Sequence, residues 1–291
     1  MFPKKMSELG LFYCAFIWGS TFVVTKYALK CVDSSAMVAI RFFISALALL
    51  PFVIGKKNFF AHVKEAFVLS FFLASLYLTQ TAGLAYTSAS NSGFITGLFI
   101  IFIPVFLFIF KGQRPGIFEL WSSLIAVAGM WFLTGGISGI NKGDMLTLIA
   151  AMSYSAHLLF TDKYVKGGYD IVKLAFHQFW IVGIISSIAV VAAGKSFHVE
   201  GINGWLVILF LAFFPTLSAF FIQMSAQKYS DPFKVGIIFT LEPVFAAAFA
   251  WTVGGEDFFV VKAFGGFLIF SAMLVNEAGK IWEKKLKKAG V

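Results

Sequence analysis

Apolar residues run along this chain in long unbroken blocks, not in the one-in-two alternation of a half-buried strand or a barrel wall. Polar clusters punctuate the blocks at intervals of roughly 20 to 30 residues. A block of about 20 residues covers about 30 Å of hydrocarbon as a helix. That ruler predicts ten spans, at 8–28, 34–54, 65–86, 90–110, 118–134, 144–163, 171–193, 204–226, 233–253 and 260–279. The connections between them are short, so no separate soluble domain is expected. In hydrocarbon each backbone N–H and C=O must find its partner within the segment, which makes continuous apolar blocks helices. The expected fold is an all-α membrane protein.

Composition agrees: 59% of the 291 residues are hydrophobic, 38 are Phe and only 13% are charged. A water-soluble domain does not carry that balance. The opening "MFPKKMSELGLFYCAFIWGS" begins like a signal peptide, but the block is long, polar at its centre and without a small-residue cleavage site, and it reads as a retained first helix. Lysine and arginine set the orientation. With the N-terminus inside, the inner segments hold Lys4, Lys5, Lys56, Lys57, Lys64, Lys111, Arg114, Lys163, Lys166, Lys173, Lys228, Lys234 and the tail "KIWEKKLKKAGV", against Lys26, Lys30, Lys142, Lys195 and Lys262 outside. The positive-inside rule therefore predicts both termini in the cytoplasm of a bacterial-type inner (plasma) membrane. The formal charge of +9 is mainly this topology signal, with a basic tail able to touch anionic lipid, and it implies no nucleic acid. Cys14 and Cys31 fall about 25 Å apart along the first helix, too far to bridge each other.

The chain also resembles itself. A shift of 137 lays Lys26-Tyr27 on Lys163-Tyr164, Asp33 on Asp170 and Phe42 on Phe179. A shift of 143 lays Ser75 on Ser218, Gln80 on Gln223, Tyr86 on Tyr229 and Gly93 on Gly236 without a gap. Two halves of five helices follow, residues 1–140 and 141–291. Because five is odd, the second half starts on the other side of the membrane, so the repeats are inverted. Inverted repeats are the physical basis of alternating access to one site between them.

Polar groups inside the spans mark where that site would lie. Glu242 in "LEPVF" is a carboxyl near mid-membrane, and Pro243 beside it removes a hydrogen bond to the carbonyl of Phe239, predicting a local kink. Glu242 is either a neutral structural donor or a proton-coupling group. Arg41 lies about two turns from the outer end of the second span, where it either snorkels toward Asp33 or serves a solute or ion pair. His157 is either a helix-packing imidazole or a ligand. Trp18, Ser20, Tyr77, Gln80, Asn91, Thr96, Tyr154, Gln178 and Gln223 complete the set. Uncharged donors among aromatics suit a cavity for amphipathic solutes, and interhelical bonding is the alternative use of each. The expected substrate-binding residues are Trp18, Ser20, Tyr77, Gln80, Asn91, Thr96, Tyr154, His157, Gln223 and Glu242. "AVVAAGKS" lacks the first glycine of a phosphate loop, and His157 and Asp162 point about 140° apart on one helix. Neither a nucleotide site nor a catalytic dyad is expected, and no metal or cofactor.

Four stretches in this order, "AFIWGSTFVVTKYAL", "AIRFFISALALLP", "AGLAYTSASNSGFITGL" and "LEPVFAAAFAWTVGGE", give a chain that resembles the drug/metabolite transporter superfamily, EamA type, over nearly its whole length. The resemblance implies a ten-helix inverted-repeat carrier with a central cavity lined mainly by the first, third, fourth, sixth, eighth and ninth spans. It implies small organic solutes as substrates. The fourth span reads "FIPVF" where the ninth reads "LEPVF", so only the second half carries the carboxyl. The expected function is a secondary carrier of small metabolites, amino acids or amphipathic drugs, directed outward. A membrane-embedded enzyme, a lipid-handling protein and a passive pore are the alternatives.

Overall fold

The protein is described from a computed structural model, for residues 7–112, 114, 116–136, 139–230, 235 and 238–289. Lys4, Lys5, Lys234 and Gly236, which carry part of the charge and repeat patterns, lie outside these residues. The described chain is helical, and its strand-like pairing is a single bridge between Val32 and Val199.

The first half comprises α1 (Ser7–Ala28), α2 (Ser34–Leu49), α3 (Val63–Gly83), α4 (Ala89–Gly97), α5 (Phe99–Lys111) and α6 (Ile117–Thr134). The second comprises α7 (Lys142–Lys166), α8 (Ile171–Ala192), α9 (Gly201–Leu211), α10 (Ala219–Gln227), α11 (Leu241–Thr252) and α12 (Val260–Ala289). α4 and α5 make one rod around a turn at Leu98, and α9 passes into α10 through a π-helical stretch, Ala212–Ser218. Among the described residues seven stretches are long and apolar enough to cross a membrane: α1, α2 with its 3₁₀ end, α3, α4 with α5, α6, α8, and α9 through α10. They coincide with seven of the spans drawn from the sequence. α7 is long enough but rich in Ser, Tyr and charge, α11 has 12 residues, and the apolar part of α12 is Val260–Asn276.

Local chemistry explains the helix starts. The Asp33 carboxylate accepts from the N–H groups of Ser35 and Ala36 at 2.9 and 3.4 Å, capping α2. Asp170, its counterpart under the 137-residue shift, caps α8 the same way from Val172 and Lys173 at 2.9 and 3.2 Å. Each cap satisfies N–H groups that the helix itself leaves open.

Prolines set the breaks. Pro104 inside α5 frees the carbonyl of Ile100, and Asn276 Nδ2 of α12 donates to it at 3.4 Å. Pro215 lies in the π-helical stretch, whose carbonyls are taken up by side chains: Trp18 Nε1 donates to Pro215 O at 2.8 Å, Ser45 Oγ to Ala212 O at 2.8 Å and Thr216 Oγ1 to Leu211 O at 2.8 Å. Pro243 differs from the kink expected of it. The helix is interrupted at Thr240, so Pro243 sits in the first turn of α11, where an N–H has no intrahelical partner to lose.

Packing pairs the elements. α2 lies against α8, α3 against α7, α6 against α12, α1 against both α10 and α11, and α4 against both α11 and α7. Small residues permit the close approaches. A Cβ at Gly93 would collide with Ala246 of α11, and one at Gly129 would stand 2.8 Å from the carbonyl of Gly265. Large apolar side chains such as Phe12, Leu47, Phe71, Val127 and Trp131 point outward from the bundle. Lipid tails, not water, suit that surface.

Candidate functional site

Helices α1, α3, α4, α7, α10 and α11 close around a narrow central cavity of about 20 Å³, room for a water molecule in this conformation. Its wall is Trp18, Thr21, Phe22, Leu76, Tyr77, Gln80, Thr96, Tyr154, Phe220 and Glu242. Both halves of the chain contribute.

The aromatic part is a set of crossed rings. Trp18 is held by its bond to Pro215 O and packs edge-on to Tyr154 at 6.2 Å and tilted against Phe220 at 5.4 Å between centroids. Tyr77 packs on Phe42 at 5.1 Å and Phe220 at 6.2 Å. Offset and edge-on contacts of this kind favour a fixed wall over a mobile one. The polar part is short of partners. Gln80 Nε2 donates to Thr96 Oγ1 at 2.9 Å, and Thr21 Oγ1 donates to Trp18 O at 2.6 Å. Tyr154 Oη and Glu242 Oε2 are buried with no hydrogen-bond partner, and Glu242 is only 5% exposed. Among the described residues no ion pair reaches Glu242. A buried carboxyl in that position is stabilised by a proton or by a ligand that donates to it.

Of the residues expected from the sequence, the cavity brings together Trp18, Tyr77, Gln80, Thr96, Tyr154 and Glu242. Four stand elsewhere. Ser20 donates back to Ile17 O of its own helix at 2.7 Å. Asn91 is buried in the first turn of α4, its N–H bonded to Ser88 Oγ. His157 Nε2 lies 3.2 Å from Gln178 Oε1, outside the cavity wall. Gln223 is fully buried behind Phe220 on α10.

Arg41 overturns the snorkelling reading. It is 2% exposed, turned inward, and its Nε and Nη2 donate to Thr216 Oγ1 at 2.9 and 2.7 Å. The guanidinium stands 4.6 Å from the Tyr77 ring centroid, a cation–π contact behind the cavity wall. Asp33 uses its carboxylate on the α2 cap instead. The cause lies in α9 and α10: the π-helical turn presents Thr216 to α2, and no sequence pattern signals a π turn.

Thr21, Phe22, Leu76 and Phe220 are wall residues that sequence reasoning did not select. Thr21 follows Trp18 by three and shares its helix face, a usable signal. Leu76, Phe22 and Phe220 are apolar side chains among many others.

The end of the bundle formed by the 28–34, 84–88 and 253–257 turns is tied by charge. Glu256 accepts from the N–H groups of Ala89 and Ser90 and from Ser90 Oγ at the start of α4, with Lys26 Nζ 3.9 Å from the same carboxylate. Lys26 Nζ also donates to Thr87 O at 2.7 Å, and Thr87 Oγ1 donates to Asp144. A carboxylate at a helix N-terminus is favourably placed against the helix dipole.

The pattern that defines the EamA-like transporter family matches this chain over residues 5–135 and again over 141–277. A protein of Archaeoglobus fulgidus named as an uncharacterized transporter is 34% identical over 94% of this chain and 86% of its own length. The inner membrane transporter YedA of Escherichia coli is 22% identical over 92% of this chain and 89% of its own, and the transporter YdfC of Bacillus subtilis 21% identical over 94% of each. A solved crystal structure superimposes with a TM-score of 0.68 over 94% of this chain and 96% of that one, at 15% identity, a likeness of fold alone. With two family matches across most of its length, spans of membrane-crossing size and an aromatic cavity at their centre, the chain is a multi-pass membrane transporter and belongs to the EamA-like transporter family.

Proposed function

We propose that the protein is a secondary carrier that exports small organic metabolites, amino acids or amphipathic drug-like solutes, across the inner (plasma) membrane by alternating access. The observation that carries this reading is the cavity itself: six helices from the two halves meet around aromatic faces, uncharged donors and one carboxyl without a partner. Such a wall suits a small solute with an apolar body and one or two polar ends.

The reading takes residues 1–140 and 141–291 as inverted repeats, ten spans in all, with both termini inside. Packing supports it. Exchange the first half for the second, and α2 on α8, α6 on α12, and α4 on α11 map onto themselves, while α3 on α7 becomes α10 on α1. Pairs that self-exchange run antiparallel, as Lys56 beside Asp170 and Phe42 beside Phe179 illustrate for α2 and α8. Two-fold symmetry of that kind gives two conformations related by rotation about the axis and of nearly equal energy, the requirement for alternating access. Glu242 supplies the coupling group, exchanging a proton for solute within the cavity.

A thermal-shift screen of purified protein against amino acids and amphipathic solutes, followed by uptake into proteoliposomes, tests the proposal. Solutes that raise the melting temperature should be transported, and Trp18→Ala should remove both effects. Stabilising solutes that are never transported would count against a carrier.

A further inference from the structure

The repeat pairs Gln80 with Gln223, yet the two side chains are used differently. Gln80 is half-buried in the cavity wall and bonded to Thr96. Gln223 is 0% exposed, and neither its Nε2 nor its Oε1 has a hydrogen-bond partner. A buried amide without a protein partner at either end disfavours the state that contains it, so plain packing would be better served by Met or Leu. Gln223 has company. It stands one helical turn past Phe220 on α10, as His157 stands one turn past Tyr154 on α7, and the Phe220 and His157 rings touch at 5.8 Å. His157 Nδ1 and Gln178 Nε2 are also buried without partners. Behind the Tyr154 and Phe220 part of the wall, then, the bundle packs the Gln223 amide and a His157–Gln178 pair that is bonded at 3.2 Å but has one unpaired nitrogen on each side chain.

We infer that Gln223, together with the His157 and Gln178 pair, forms a second solute-binding position that is closed in this conformation, Gln223 being the repeat counterpart of Gln80. When inverted repeats exchange conformations, the surroundings of Gln80 become those of Gln223. The amide then lines the cavity from the opposite side of the membrane, where it donates and accepts. Its ligand carries a donor and an acceptor together, as a carboxyl, amide or hydroxyl-bearing solute does. This position rests on the alternating-access reading, and its test separates the two.

Gln223→Cys and Gln80→Cys are made in a Cys14→Ser, Cys31→Ser background and exposed in membrane vesicles of each orientation to a membrane-impermeant methanethiosulfonate. Both cysteines should react, from opposite sides, each about 10-fold faster than a cysteine at fully buried Ala150. Gln80→Cys reacting while Gln223→Cys stays inert from both sides overturns the second position and leaves the carrier reading standing. Inertness of both overturns the two together. Melting of Gln223→Met gives an independent readout, and decides the matter should the cysteine variant not fold. Removing the unpaired amide should raise the melting temperature by about 3 °C, and a fall would identify Gln223 as a bonded packing residue and overturn the inference.

Discussion

In the proposed carrier Glu242 is the coupling group because of what surrounds it at the level of single side chains. Its neighbours in the wall are rings and neutral donors, and its Oε2 has no partner. Gln has the same shape but takes no proton. Glu242→Gln is therefore expected to bind and exchange solute in liposomes while losing acceleration by a pH gradient; gradient dependence surviving in a folded variant would return Glu242 to a structural role. The residue scale is also where the sequence was most readable for Glu242, Trp18 and Tyr154, since a polar or aromatic group inside a span has few uses. It was least readable for Arg41. Depth along α2 suggested the membrane surface, whereas the partner that draws the guanidinium inward, Thr216, is 175 positions away on a distorted turn.

Elements were legible where a local rule acts and obscure where a distant one does. Asp33 and Asp170 announce the starts of α2 and α8, since a cap needs only the next few residues. The π-helical turn at Pro215 depends on Trp18 and Ser45 meeting its loose carbonyls, and only the folded bundle brings them there. Close packing of α4 on α11 follows from small residues and makes a sharp demand. A side chain at Gly93 has no room beside Ala246. Gly93→Leu should abolish assembly or transport, with a cost of about 1 to 3 kcal/mol or more from overpacking. Gly55→Ala, where an added Cβ meets nothing within 4 Å, should leave both unchanged. Folded yield on size-exclusion chromatography and uptake by the same samples check the pair. Normal behaviour of Gly93→Leu would mean that α4 and α11 do not meet as described.

At the scale of the whole molecule, seven spans follow from apolar length alone, and α7, α11 and α12 owe their places to the bundle they complete. The charge pattern, through the positive-inside rule, predicts which end is which. In a background lacking Cys14 and Cys31, a cysteine at Lys142 should react with an impermeant reagent from outside only, and one at Lys57 from inside only. Outside labelling at position 57 would invert or break the topology. On that predicted orientation the tied end, where Glu256 holds the start of α4 and Lys26 reaches Thr87, is the outer one. The cavity walls come from α1, α3, α4, α7, α10 and α11, so a solute held there touches both halves. In the proposed carrier, release follows from a movement of the halves relative to one another.

Solute counterflow measures that motion directly. Proteoliposomes loaded with a high concentration of an unlabelled solute from the thermal-shift screen are diluted into a trace of the same solute carrying a label. A carrier with one site exposed alternately to each side should draw label inward transiently above its equilibrium level, and Trp18→Ala should flatten the overshoot. Label that rises to equilibrium without an overshoot, at a rate indifferent to the solute inside, would describe an open pore and contradict the alternating cavity.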